Sequence, residues 1–356
     1  MNTGPRNQHA IVRPSWLETR LEEVIDPNQI IVDAHHHLYD RPGLRYLLDE
    51  MLADVSTGHN VRTTVYVQAR SMLRKTGPEQ WKTLGETEFA NGIAAMSASG
   101  SYGQARLCQG IVGAVDLHLG ARVREVLQAH ISAAGGACIE GGRFRGIRQS
   151  VAWDIDTSLL NPAYRVSEDM LANRGFREGF AQLAPLGLSF DAWLFFHQIS
   201  QLTLLAREYP DTSIVLNHCG GILGSGRYKG CSDEVYQHWS SSLRELAKEP
   251  NVMIKLGGLG MRMCGMSFDN DPRAPSSQQL AERWRPWLET CIEYFGPERC
   301  MFESNFPVDK GNHSYLVGWN AMKRVVNGAS SSEKDDLFWR SASRFYRIPP
   351  DSITNP

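Results

Sequence analysis

The chain has 356 residues, 42% of them hydrophobic and 21% charged, with a formal net charge of −2. That composition excludes a disordered or fibrous chain, and the near-neutral balance gives no electrostatic footprint for nucleic acid or an anionic membrane surface. No apolar run reaches the roughly 18 residues of a spanning helix, so no membrane partner is expected.

From the start of the chain, residues 1–28 lack the apolar stretch of a secretory signal and are expected to be an extension packed on or near the domain that follows. That domain is expected over 29–348, with a short tail at 349–356. Seven cysteines (Cys108, Cys138, Cys219, Cys231, Cys264, Cys291 and Cys300) carry no CxxC spacing and read as free thiols of a reducing compartment. The expected location is therefore the cytoplasm.

Short apolar runs recur along the chain. They predict strands at Ile30–Ala34, Thr63–Ala69, Leu107–Val115, Phe144–Ile147, Leu188–Phe196, Ser213–Asn217, Val252–Leu256 and Cys300–Ser304. Several are apolar almost throughout, the pattern of parallel strands covered on both faces. Helical spacing lies between them, at Ala121–Ala134, Asn173–Pro185, Gln198–Tyr209, Glu234–Lys248 and Leu280–Phe295. Eight strands alternating with helices predict an α/β fold of the (β/α)8 TIM-barrel class, a single domain. No GxGxxG follows the first strand, which argues against a doubly wound sheet. Two long loops, Cys219–Ser232 and Gly257–Ser277, leave carboxyl ends of strands, where barrel enzymes carry their chemistry.

The first strand ends in Asp33-Ala34-His35-His36-His37. Strand side chains alternate, so His35 and His37 share a face and His36 takes the other. Two imidazoles so placed can share a metal ion. His197 and His218 end two further predicted strands, so four histidines are expected at one barrel mouth. His9, His59, His118, His130, His238 and His313 read as loop or helix residues, with His118 the one that keeps a functional reading. Arg143, Arg145 and Arg148 cluster around the fourth strand. Arg148 lies past its end, where a guanidinium can grip a carboxylate in bidentate fashion.

The segments DAHHHLYD, FFHQ, LNHCGG, GSGRYKGCSDEV, IKLGGL and MFESNFPVD resemble the amidohydrolase-2 group of the amidohydrolase superfamily. The nearest likeness is to its metal-dependent hydrolases of lactonase type. The resemblance runs from Gln29 to the C-terminal helix and implies the barrel. It also implies that His35, His37 and His197 are metal ligands, with zinc as the divalent ion, and that His218 matches the sixth-strand histidine. One departure stands out. The family commonly ends its eighth strand in an Asp that binds metal and takes a proton from water, whereas this chain reads Glu303-Ser304-Asn305-Phe306-Pro307. An amide is no general base. If the strand stays regular, Glu303 and Asn305 both face the interior, and the carboxylate has moved one layer deeper.

The expected activity is hydrolysis of a small, carboxylated lactone, with or without a divalent metal. His218, Glu303 and Asn305 are the catalytic candidates. Arg148 is the substrate anchor, helped by Arg70, Arg227, Lys255 and Tyr228. Non-oxidative decarboxylation of an aromatic or unsaturated acid is the alternative reaction, and an inactive binding protein the alternative of another class. The partner is a small molecule, with a homo-oligomer left open.

Overall fold

The computed structural model describes residues 10–354, and each predicted strand segment forms a strand there. The first nine residues of the expected extension, His9 among them, and the last two of the tail lie outside the described residues. The strands are β1 (Ile30–His36), β2 (Asn60–Val67), β3 (Arg106–Gly113), β4 (Phe144–Ile147), β5 (Ser189–Ala192), β6 (Ile214–Leu216), β7 (Val252–Leu256) and β8 (Cys300–Phe302). They pair in chain order, each parallel to the next. Between β8 and β1 the ladder is reduced to two backbone bonds. Asn305 N–H donates to the His35 carbonyl (2.9 Å), and His37 N–H donates to the Phe306 carbonyl (2.8 Å). The result is a nearly closed eight-stranded barrel.

Because both faces of the sheet are covered, these strands are buried at almost every position rather than at alternate ones. Outside the barrel the helices bury one stripe each. Ser277–Phe295 opens on a capping box between Ser276 and Gln279, and Asn173 caps Arg174–Phe180 through a bond from the Phe176 N–H. The helix Ser341–Tyr346 sends Tyr346 under the barrel, where its hydroxyl donates to Asp191 Oδ2 (2.9 Å). No helix among the described residues is long and apolar enough to cross a membrane.

Several predicted strands are shorter than expected, and two of these differences bear on the site. The run Leu188–Phe196 is extended only as far as Ala192. A 3-10 turn at Phe196–Gln198 follows, because the Gln198 carboxamide oxygen accepts from the Phe195 and Trp153 N–H groups and pulls the chain off the barrel axis. In β8, regular strand stops at Phe302, and Asn305 takes a left-handed φ of 54°. Asn tolerates that region better than most residues.

Both loops singled out in the sequence pack as ordered structure. Gly224 N–H donates to the Met263 carbonyl (2.8 Å), which ties one loop to the other. A Cβ at Gly224 would stand 2.5 Å from the Cys264 carbonyl oxygen, so this crossing requires glycine. Residues 13–20 lie on the second loop, with Trp16 Nε1 donating to the Asp271 carbonyl (2.8 Å). The long connection from β4 to β5 also crosses the mouth and was not marked out by its composition.

Candidate active site

β1 ends at the mouth, and its last residues divide as alternation requires. His36 turns outward, its Nε2 2.8 Å from Thr64 Oγ1. His35 and His37 turn inward, with their Nε2 atoms 3.2 Å apart. The His37 Nδ1 lies 2.7 Å from the Val67 carbonyl oxygen. A carbonyl only accepts, so His37 carries its proton on Nδ1 and presents a lone pair on Nε2. Burial, then the neighbouring cations, hold both imidazoles well below the usual histidine range, so they are neutral.

His218 follows β6 with φ 55° and stands beside His35, ring centroids 4.6 Å apart. Its Nδ1 is 2.6 Å from Glu303 Oε1, which also accepts the His218 backbone N–H (3.2 Å). A carboxylate oxygen only accepts, so Nδ1 again carries the proton and Nε2 is left free. Burial lowers the His218 pKa below its ordinary value, while the Glu303 carboxylate works against that fall. Glu303 is fully buried, and its second oxygen is 2.9 Å from His35 Nδ1. The carboxylate therefore sits behind both histidines rather than in the open cavity.

Two fixed cations meet His35. Arg148 Nη1 stands 3.2 Å from Nε2, and Lys255 Nζ stands 3.2 Å from Nδ1. Lys255 is fully buried and also pairs with Asp191 Oδ2 at 2.8 Å. It lies beneath His35 and is not part of the cavity wall, so it is no direct substrate contact. Arg148 is buried at the wall, its Nη2 donating to the Gln68 carbonyl. Asn305 Nδ2 donates to Asp309 Oδ1 (3.1 Å), whose carboxyl burial pushes up to about 8. The Asn305 Oδ1 is buried with no hydrogen-bond partner.

These groups surround a cavity of about 90 Å³, walled by His37, His218, Arg148 and Asn305 on the polar side and by Trp193, Phe195, Met261 and Met263 on the apolar side. His197 is not brought to this set. From its 3-10 turn, its Nε2 reaches Asp154 Oδ2 (3.0 Å), which also accepts the Tyr228 hydroxyl (2.7 Å). Arg227 is half exposed and 3.9 Å from the same carboxylate. His197, Tyr228 and Arg227 thus form a separate polar cluster on the buried Asp154. Arg70 stands further out, over the Tyr164 ring at 5.7 Å. His118 is held by Asp116 (2.9 Å) on the outer rim.

Sequence reading missed Gln68, Asp154 and Asp191. A signal existed for Asp191, because a lone carboxylate inside an apolar strand calls for a buried partner. Lys255, a lone cation inside β7, is that partner. Asp154 lies in a loop with no periodic pattern and gave no signal.

The donor set is compatible with a divalent ion. With the His35 proton on Nδ1, two Nε2 lone pairs converge at 3.2 Å, the span between two nitrogen ligands each about 2.0–2.1 Å from zinc. The orphaned Asn305 Oδ1 adds a third, neutral donor at the cavity wall.

The amidohydrolase family model (Amidohydro_2) matches residues 32–348. An uncharacterized protein of Sinorhizobium fredii, y4mH, is 31% identical over 341 residues, covering 89% of this chain and 98% of that one. An L-fucono-1,5-lactonase of Burkholderia multivorans is 27% identical over 212 residues, 59% of this chain and 64% of its own. Among solved structures, an amidohydrolase from Burkholderia multivorans with bound zinc superposes with a TM-score of 0.67 at 22% identity. It covers 90% of this chain and 100% of that one, which shows a shared fold.

Proposed function

This chain belongs to the amidohydrolase family, and from that premise we propose that it opens a small carboxylated lactone by hydrolysis. The observation that carries the reading is the His218–Glu303 pair at a cavity that also holds the Arg148 guanidinium. The lactonase name of one relative points the same way.

In this reading the substrate carboxylate lies on Arg148, and the lactone ring lies against Trp193 and Met261. His218 Nε2 takes a proton from water as the hydroxide oxygen bonds to the ester carbon. Glu303 Oε1, at 2.6 Å, stabilises the imidazolium that forms and fixes the ring orientation. The C–O bond of the ring then breaks, and His218 returns the proton to the departing ring oxygen, giving the hydroxy acid. Glu303 acts through His218 and is a positioning residue. When a divalent ion is bound, His35, His37 and the Asn305 oxygen would hold it, and it supplies Lewis-acid polarisation of an ester carbonyl.

The test is a panel of γ- and δ-lactones with and without a ring carboxylate, L-fucono-1,5-lactone included, followed by proton release. We expect turnover of at least one carboxylated member with kcat/KM of about 10⁴ M⁻¹s⁻¹ or more, the low end for enzymes on their own substrates. Carbon dioxide release from an aromatic acid, without ring opening, would move the site to the decarboxylase reading.

The same donor set gives a metal prediction. All three donors named are neutral, and the Arg148 cation sits beside one of them, so zinc should be held weakly. Asn305→Asp supplies an anionic oxygen at the wall and should tighten zinc at least 10-fold by competition with a chromogenic chelator. Equal zinc affinity in the two proteins would remove Asn305 from the donor set.

A further inference from the structure

The cavity at His218 is too small to be the whole substrate site. At about 90 Å³ it falls well below the roughly 300–1,000 Å³ of ordinary small-molecule pockets, so it admits little more than a ring. A second groove of about 1300 Å³ adjoins it. Arg148, Ser150, Asn161, Tyr164 and Val166 line both, so the two spaces meet at Arg148.

Arg148, only 7% exposed, is the one cation that lines both spaces, and its Nη1 and Nη2 are anchored on His35 and the Gln68 carbonyl. Beyond the junction the groove floor is apolar, at Val115, Leu119, Leu160 and Met170. Its polar wall carries Arg70 and Arg165, neither of which forms an ion pair among the described residues. Both guanidiniums lie close enough to Glu79 to help lower its pKa, after the larger effect of Lys82, which pairs with it at 2.6 Å. The other acid of the groove, Asp116, is taken up by His118 and Gln149.

We propose that the outer groove is a second subsite that binds an apolar arm ending in an anionic group, so that the substrate is an elongated diacid lactone rather than a compact ring. The ring carboxylate is met by the Arg148 guanidinium where the two spaces adjoin, the arm crosses the apolar floor, and its terminal carboxylate is met by Arg70 and Arg165. The ring's chemistry rests on the lactonase reading; the binding of the arm does not.

The experiment uses the open-chain products, whose binding needs no turnover. Two 5-hydroxy acids of equal length are compared by calorimetry on the full chain, one with a plain hexyl arm and one whose arm ends in a carboxylate. The acid-ended compound should bind at least 10-fold more tightly, and in the double variant Arg70→Ala/Arg165→Ala the ratio between the two should fall to about 1. Because the readout is a ratio within each protein, a general loss of affinity does not mimic it. Equal binding of the two compounds by the wild type overturns the subsite, as does an undiminished ratio in the double variant or no binding of either compound. If the ratio behaves as expected while the matching lactones are not hydrolysed, the groove stands and the lactonase reading fails.

Discussion

Replacing His218 by asparagine should lower kcat by about 10²–10⁴-fold, the range a positioned general base contributes. Asparagine suits the site as a control for folding, since it tolerates the left-handed φ of 55° that His218 adopts. The carboxamide lacks a basic nitrogen, so no group remains on the cavity wall to take the proton from water in the orientation that Glu303 enforces. A pH profile of the wild type tests the same assignment. Burial lowers the His218 pKa, so the neutral base predominates at pH 7. Activity should then be level near neutrality and fall only as the pH drops below 6.5, when the imidazole is protonated. A variant that keeps turnover within threefold of wild type, with an unchanged melting temperature, would exclude His218 as the base.

Glu303→Gln should cost about 10²-fold in kcat with little change in KM. The substitution keeps the size and one accepting oxygen, but it removes the charge that stabilises the His218 imidazolium. The second readout separates positioning from mere structure. Glu303 raises the His218 pKa through its charge and its hydrogen bond, so its loss should move the acid limb of the profile to lower pH. A structural ion-pair partner would instead lower the melting temperature and leave both kcat and the limb where they were. That second pattern would leave His218 as the base and remove Glu303 from its positioning role.

The two predictions probe groups that the sequence marked unequally. His35 and His37 were legible because strand alternation has period two, and the structure keeps that alternation even though the β1–β2 register shifts between Asp33 and His36. The barrel class was legible for a similar reason: strands covered on both faces favour near-continuous apolar runs, and several of the eight runs have that pattern. The lone charges Asp191 and Lys255 were visible as anomalies within apolar strands, although the sequence did not pair them.

Depth and partnership were not legible. Periodicity states which face a side chain takes, but not how far along the barrel axis it sits. Glu303 was correctly placed on the interior face, yet only the closing of the barrel puts it behind His218, 85 residues earlier in the chain. The same closure sets Arg148 against His35 across 113 residues. His197 shows the converse. Its motif and its place near a strand end suggested a shared ion, but two backbone bonds to Gln198 turn the chain aside and deliver the ring to Asp154. Short-range patterns fix local geometry because their interactions lie within a few residues. The site is assembled by contacts between strand ends far apart in sequence, and those exist only once the sheet has curved back on itself.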